Sequence, residues 1–133
     1  MPINGLFTPY DYDRINRAIA YIEKHYSDAV SADQLAMEVG MDIKQLQAGV
    51  YSRKGLTIHN YILKVRVERA TKDLEDFGRP IKFIAAKHGF SSSSHFGAEF
   101  KKQTGQTPRQ YRYLFALNMC NGYDPSGPGK DLS

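Results

Sequence analysis

The chain has 133 residues and a mass of 15.1 kDa, which allows one compact domain or two very small ones. No apolar run approaches the roughly 18 residues of a membrane-spanning helix, and the first residues lack the basic and apolar regions of a signal peptide, so we expect no membrane segment and a cytoplasmic location. The single cysteine, Cys120, excludes an internal disulfide framework and fits a reducing compartment.

The net charge of +4 is distributed unevenly along the chain. Residues 1–40 carry a net charge of −3, whereas residues 41–133 carry +7. A basic surface indicates a polyanionic partner such as nucleic acid, because neutralising phosphates releases counterions. The charge alone is a weak signal, since many basic proteins bind no polyanion.

Helical patterns follow one another in chain order, and no segment alternates polar and apolar residues as a strand does. From residue 11 to 26, apolar side chains recur every three or four positions. Later helices are predicted to begin near capping residues or prolines and to end near glycines. The predicted starts are Ser31, Asp42, Thr57, Pro80, the serine run 91–94 and Thr107-Pro108, and the ends are Gly40, Gly55, Gly78, Gly89 and Gly105. The helix after Thr57 is long, at about residues 58–76.

Two segments of the chain share one spacing of apolar residues and glycines. Their residues are Leu35-Ala36, Gly40, Leu46, Val50 and Gly55 in the first copy, and Ile84-Ala85, Gly89, Phe96, Phe100 and Gly105 in the second. Each copy describes a short helix, a glycine-bearing turn and a second helix, which is typical of a helix-turn-helix. A generic helical-hairpin repeat fits the same spacing, so the spacing alone leaves both structures open.

Residues 81–112 resemble the signature of the AraC/XylS family of bacterial transcription regulators. The matching residues are Ile81, Ile84-Ala85, Gly89-Phe90, Phe96, Phe100-Lys101, Gly105, Thr107-Pro108 and Tyr111-Arg112. The other half of the family pattern is matched by Leu35-Ala36, Gly40-Met41, Leu46, Gly55, Tyr61, Arg66 and Ala70. The resemblance covers about residues 12–115, nearly the whole chain.

The resemblance implies an all-α fold of about seven helices, with two helix-turn-helix subdomains joined by a long linker helix. The expected segments are an N-terminal arm (1–10), the first subdomain (11–56), the linker helix (57–78), the second subdomain (79–117) and a disordered tail (118–133). The chain resembles the small stand-alone activators of the multiple-antibiotic and superoxide-response type. A DNA-binding domain of a longer regulator fits equally well.

The family's function implies that the chain is a sequence-specific transcription regulator. It implies an activator, because activation is common in the family. The chain would insert two recognition helices into adjacent major-groove segments of double-stranded DNA. The expected partners are double-stranded DNA and RNA polymerase, with the chain monomeric in isolation and located at the nucleoid of a bacterial cytoplasm.

Transferring the family pattern assigns base readout to seven residues in the early turns of the two recognition helices. These are Lys44, Gln47, Ala48, Ser93, Ser94, His95 and Ala98. Phosphate contacts are predicted for serines near helix N-termini and for basic residues beside the recognition helices. These are Ser31, Arg53, Lys54, Ser92, Lys101, Lys102 and Arg109.

Ala48 and Ala98 depart from the family, which commonly has arginine at both places. One bidentate arginine–guanine pair gives about 1–3 kcal/mol of base discrimination. Our hypothesis is that the alanines allow close approach and contact thymine methyl groups, favouring A·T-rich DNA read partly by shape. The alternative is that both positions are neutral. Arg66 and Arg112, which belong to the family signature, are interpreted as structural and paired with acids.

Nothing in the sequence indicates catalysis, a cofactor or a metal site, so we predict that the chain is not an enzyme. The four histidines share no zinc-ligand spacing, and the serine run 91–94 lacks the glycines of a nucleophile elbow. The competing hypothesis is a protein-interaction module on a helix-turn-helix scaffold, which binds RNA polymerase or another regulator and reads DNA weakly. Salt dependence separates the two, because phosphate contacts weaken steeply as salt rises.

Overall fold

The computed structural model describes residues 7–120, which contain seven α-helices and no β-strand within that range. The helices are α1 (Pro9–His25), α2 (Ala32–Val39), α3 (Ile43–Lys54), α4 (Ile58–Leu74), α5 (Ile81–Lys87), α6 (Ser93–Thr104) and α7 (Pro108–Cys120). They form two compact units: unit 1 ends at Arg66 and unit 2 begins at Val67, inside α4. The predicted all-α class is confirmed.

Several helix ends differ from the segments expected from sequence. Helix α1 begins at Pro9, inside the expected arm (1–10), because Thr8 and Asp11 form a capping box of reciprocal hydrogen bonds of 3.0 and 3.1 Å. Helix α4 ends at Leu74 rather than near residue 76. Helix α7 continues to Cys120, so the start of the expected tail (118–133) is helical. Residues 1–6 and 121–133 lie outside the described residues.

The core of unit 1 is aliphatic and lies where α1 packs on the helix-turn-helix formed by α2 and α3. Its fully buried side chains are Ile15, Ala18, Ile22, Leu35, Leu46 and Val50. Gly49 in α3 allows α1 to approach closely, because a Cβ atom at this position would lie 2.6 Å from Ile15 Cγ1. Glycine destabilises a helix interior, and the sequence alone does not explain why α3 contains one. The close contact with Ile15 provides the explanation.

The core of unit 2 is aromatic at the positions where unit 1 is aliphatic. Phe96 and Phe100 are fully buried, fifty residues after Leu46 and Val50, as the internal repeat predicts. Their ring centroids lie 5.7 Å apart in an edge-to-face arrangement, a geometry that aromatic pairs favour. Tyr111 of α7 extends the row, 5.9 Å from Phe100.

The turn of each helix-turn-helix depends on a glycine with left-handed backbone. Gly40 has φ of +68° and Gly89 has φ of +91°, values that side-chain-bearing residues rarely adopt. After each glycine the chain closes the turn in the same way: the Met41 N–H donates to the Ala36 carbonyl, and the Phe90 N–H donates to the Ala85 carbonyl, both at 3.0 Å. The two units therefore repeat the same turn.

Two signature arginines bind the main chain at the end of the helix that precedes each helix-turn-helix. Arg66 donates to the carbonyl oxygen of Tyr26 at 2.7 Å and to that of Asp28 at 3.0 Å. Arg112 donates to the carbonyls of Leu74 and residue 76 at 2.9 and 3.1 Å. The prediction of acid partners for Arg112 is wrong: its acceptors are carbonyls at a helix end, which lack partners inside the helix and carry its negative pole.

Candidate nucleic-acid interface

One face of α3 carries the side chains predicted to read bases in unit 1. Steps of three and four residues return to the same helix face, so we define the α3 reading face as Lys44, Gln47, Ala48 and Tyr51. Lys44 and Gln47 are exposed and Ala48 is half-buried. Tyr51 is 59% exposed, although the sequence analysis did not select it. The structure therefore brings three predicted readers together and adds a fourth side chain.

The equivalent face of α6 lies fifty residues further along the chain and carries shorter side chains at two of its four positions. We define the α6 reading face as Ser94, Gly97, Ala98 and Lys101. All but Gly97 are exposed. A lysine at position 101 occupies the place of Tyr51, and Gly97 occupies the place of Gln47. The two faces share an alanine at their centre and differ on both sides of it.

The other predicted readers of α6 lie in its first turn. The Ser92 hydroxyl caps the helix by accepting from the His95 N–H at 3.0 Å, and Ser93 is exposed beside it. The His95 imidazole packs edge-on against Phe90, with ring centroids 5.3 Å apart, and its Nδ1 lies 3.5 Å from the Ser91 hydroxyl oxygen. His95 is therefore attached to the preceding turn rather than extended away from the helix.

A groove of about 700 Å³ lies beside the α3 reading face and is mostly apolar. Its wall combines the start of α2, the reading face and the start of α4. The lining residues are Val30, Ser31, Ala32, Gln47, Ala48, Tyr51, Thr57, Ile58, His59 and Ile62. Lysine, arginine and acidic residues do not contribute to this lining. We call it the α3 groove.

A groove of about 690 Å³ occupies the equivalent place in unit 2 and is cationic. It is lined by Ile81, Lys82, Ser93, Ser94, Thr107, Pro108, Arg109 and Arg112. Thr107 and Pro108 correspond to Thr57 and Ile58 of the α3 groove, fifty residues earlier. We call it the α6 groove. Lys82 and Arg109, beside a helix N-terminus, are suited to bind phosphate oxygens, whereas Arg112 donates to main-chain carbonyls. Lys82 was missed by the sequence analysis, because nothing in the sequence links it to residues 93 and 109.

Arg53 and Lys54, which were predicted to contact phosphates, instead contact other residues of unit 1. Arg53 donates to the side-chain oxygen of Asn16 in α1. The Lys54 ammonium lies 5.4 Å from the centroid of the Tyr61 ring, within the range of a cation–π interaction. Arg53 therefore contacts α1 and Lys54 contacts α4, and neither residue lines the α3 groove.

The remaining predicted phosphate contacts lie at helix ends or on exposed surface. The Ser31 hydroxyl caps α2 by accepting from the Gln34 N–H at 3.1 Å, and Ser31 also lines the α3 groove. Lys101 and Lys102 are exposed in the last turns of α6, and Arg109 lines the α6 groove. Unit 2 thus presents more of its cationic groups at its groove than unit 1 does.

Residues 7–120 contain neither a metal-binding cluster nor a membrane-spanning helix. Groups of three or more histidine, cysteine or acidic side chains placed to hold a metal ion are absent from this range. The same range contains no helix with the length and apolar character required to cross a membrane.

Comparison with known proteins decides the family. Residues 35–113 match a family model described as a helix-turn-helix domain. A solved transcriptional regulator from Chromobacterium violaceum, described as an AraC-type DNA-binding domain-containing protein, has a TM-score of 0.72 and 28% identity over 78% of this chain and 93% of its own. The chain belongs to the AraC/XylS family.

Curated relatives of this AraC/XylS-family chain are considerably longer than the part that matches. An HTH-type transcriptional regulator of Staphylococcus aureus (strain COL) is 35% identical over 100 residues, which are 75% of this chain and 13% of the relative. The HTH-type transcriptional activator RhaS of Escherichia fergusonii is 30% identical over 99 residues, which are 74% of this chain and 36% of that protein. The chain therefore spans between about an eighth and a third of the length of these two relatives.

A structure solved with DNA shares the same fold. The DNA-binding domain of AdpA, crystallised in complex with a target DNA, has a TM-score of 0.72 over 86% of this chain and 98% of its own, at 22% identity. The AraC/XylS family consists of helix-turn-helix DNA-binding transcription regulators, not enzymes. Family membership therefore confirms the predicted class of function.

Proposed function

We propose that the chain binds double-stranded DNA by placing the α3 and α6 reading faces in two adjacent major-groove segments of an asymmetric site. The observation that carries the proposal is the repeated construction of the two units. Each has an exposed recognition-helix face beside a groove of nearly equal volume, at positions fifty residues apart. Membership of a DNA-binding family supports the same function.

Readout differs between the two faces in this proposal. Lys44 donates to guanine and Gln47 pairs with adenine in the half-site of unit 1. Ala48 and Ala98 contact thymine methyl groups, and the site is A·T-rich and read partly by DNA shape. Ser93 and Ser94 contact bases at the start of α6, and His95 contributes to readout there only when its imidazole turns away from Phe90.

Phosphate binding is concentrated in unit 2 in the same proposal. The α6 groove supplies Lys82, Arg109 and the amides at the start of α6, with Lys101 and Lys102 following on the same helix. Phosphate contacts fix register and orientation on the duplex and carry little sequence information. Unit 2 therefore anchors the chain, and unit 1 supplies most of the sequence preference.

Activation of transcription, with RNA polymerase as a partner and the chain monomeric at the nucleoid, is the regulatory part of the proposal. It is supported by RhaS of Escherichia fergusonii, which is named a transcriptional activator. A fusion of the selected DNA site to a reporter promoter tests this part, since an activator raises transcription in the presence of the chain and a repressor lowers it.

In vitro selection of binding sites from random duplex DNA, performed with the full chain, tests the DNA-binding proposal. We expect one asymmetric A·T-rich sequence to be enriched. Affinity for that duplex should fall by about a thousandfold between about 50 and 200 mM salt if about six phosphates are contacted. A chain that enriches no sequence, or whose binding is insensitive to salt, contradicts the proposal and favours the protein-interaction module.

A further inference from the structure

We infer that Tyr51 is an additional base-reading residue which, together with Ala48, forms an apolar contact for thymine C5-methyl groups in the half-site of unit 1. The inference rests on the proposed DNA binding and extends it by naming the side chain that confers sequence preference where the family commonly has arginine.

The exposure of Tyr51 is the first observation behind this inference. Its side chain is 59% exposed, and within residues 7–120 it is found in no hydrogen bond, ring contact or ion pair. A rigid aromatic ring in this situation is typical of a binding surface, because it provides a large contact area at a small cost in side-chain entropy.

The position of Tyr51 directs the ring to the place where bases are read. Tyr51 lies seven residues after Lys44 and three after Ala48, which puts it on the same helix face. Long side chains on a helix lean toward its N-terminus and cover the preceding turn. Tyr51 accordingly lines the same groove as Gln47 and Ala48.

The chemistry of this surface matches one base. Ala48 offers only a methyl group, so the neighbouring ring supplies the reach that an arginine at position 48 would have. Alanine methyl and aromatic ring carbons together form an apolar patch, and no charged side chain contributes to the α3 groove beside it. Among the base edges in the major groove, only thymine presents a methyl group.

The internal repeat provides a built-in comparison. Lys101 occupies the position of Tyr51 in unit 2, where the α6 groove is cationic. A lysine contacts phosphate or guanine oxygen and offers little apolar surface at its tip. Dependence on thymine methyl groups should therefore be stronger in the half-site that unit 1 contacts than in the half-site of unit 2, where only Ala98 offers a methyl group.

The test uses the full chain, the duplex that it selects, and the same duplex with deoxyuridine replacing the thymines of one half-site at a time, since uracil lacks only the methyl group. For the wild-type chain, we expect the dissociation constant to rise about fourfold for each contacted methyl group in the unit 1 half-site. Tyr51→Ala should reduce this uracil effect to less than half on a logarithmic scale. Tyr51→Phe should preserve it, because the contact does not use the hydroxyl group.

Lys101→Ala is the matched control, and it should weaken binding and its salt dependence while preserving the uracil effect. Far-UV circular dichroism and the denaturation midpoint report whether Tyr51→Ala folds, as expected for an exposed side chain.

A uracil effect that persists in Tyr51→Ala overturns the inference, as does a selected unit 1 half-site without thymine. If Tyr51→Phe loses as much affinity as Tyr51→Ala, the hydroxyl group makes the contact and the inference is wrong. Failure of the wild-type chain to select any sequence refutes the proposed function itself.

Discussion

The carboxylate of Asp73 lies 2.7 Å from Nε2 of His88 and joins the end of α4 to the turn of the second helix-turn-helix. His88 is 3% exposed and occupies the place of the apolar Val39 in unit 1. The Lys87 ammonium lies 3.1 Å from the same carboxylate, and an Arg79 nitrogen lies 3.6 Å from its other oxygen. Asp73 therefore interacts with three basic side chains of unit 2.

The stability of unit 2 in acid should depend on Asp73. Partial burial raises the pKa of this carboxyl group, but hydrogen bonds from His88 and Lys87 outweigh that effect and hold the pKa below its usual value of 3.8. A depressed folded pKa stabilises the protein above the unfolded pKa, and this stabilisation is lost as pH falls through the folded pKa. Asp73→Asn should lower the free energy of unfolding by about 2 kcal/mol near neutral pH and by progressively less between about pH 5 and pH 2.

Urea denaturation followed by circular dichroism measures this difference. Asp76→Asn is the control, because the Asp76 carboxylate pairs with Arg79 at 3.0 Å but its side chain is 55% exposed, so its loss should cost less than about 1 kcal/mol. Equal and pH-independent losses for the two variants would show that the Asp73 cluster contributes no more than a surface ion pair.

Alkaline stability should depend on Tyr111. Burial and the hydrogen bond of 2.7 Å that its hydroxyl donates to Glu75 raise the pKa of Tyr111 to about 12. A raised folded pKa stabilises the protein fully below the unfolded value of 10, and this contribution is lost as pH rises toward 12. At pH 8, Tyr111→Phe should unfold more easily by about 1 kcal/mol.

Thermal melting of the wild-type chain and Tyr111→Phe at pH 8 and pH 11 checks this prediction. The difference between the two proteins should shrink at the higher pH, while effects of the lysines that also titrate there cancel in the comparison. A difference that is constant with pH would contradict the linkage.

Many features of the fold follow from the sequence, because helical periodicity and glycine positions are local properties. The repeat of turns at Gly40 and Gly89 is of this kind. The acceptors of Arg112 could not be predicted, since main-chain carbonyls have no signature in the sequence. The composition of the α6 groove was equally hidden, because Lys82 and Arg109 come together only through the packing of α5 and α7 around α6. The spacing of seven residues from Lys44 to Tyr51 could have placed Tyr51 on the reading face. Base readout, however, was expected only in the early turns of the recognition helices.

Two glycines in the recognition helices should respond oppositely to substitution by alanine. Gly49→Ala places a Cβ atom 2.6 Å from Cγ1 of the fully buried Ile15, so it should destabilise unit 1 by about 1–3 kcal/mol. Gly97→Ala meets no atom closer than 3.9 Å, at Cδ of Pro108, and should stabilise unit 2 by up to about 1 kcal/mol. Urea denaturation without DNA measures both, and a Gly97→Ala variant less stable than the wild type would contradict the open space seen beside it.

The salt dependence of DNA binding should locate the phosphate contacts in unit 2. Replacing both Lys82 and Arg109 by alanine should reduce the slope of log affinity against log salt by about 2, because two cations that line the α6 groove are removed. Lys24→Ala is the matched control, since Lys24 is an exposed cation of α1 that lines neither the α3 nor the α6 groove. Fluorescence anisotropy over a salt series gives the slopes. An unchanged slope in the double variant would place the phosphate contacts elsewhere.

The caps of the two recognition helices differ in charge, and exchanging them should change DNA affinity without changing stability. Asp42 caps α3 by accepting from the Lys44 N–H at 3.0 Å, whereas the uncharged Ser92 caps α6. Serine and aspartate are similarly good caps, so Asp42→Ser should leave the free energy of unfolding within about 0.5 kcal/mol of the wild type. A carboxylate about 7 Å from a phosphate repels it by about 0.6 kcal/mol in water, so the variant should bind the selected duplex about threefold more tightly at low salt.

Ser92→Asp should weaken binding by a similar factor, and Asp42→Ala, which lacks a cap, should lose about 1 kcal/mol of stability. If Asp42→Ser binds no more tightly than the wild type, the N-terminus of α3 does not face the phosphate backbone.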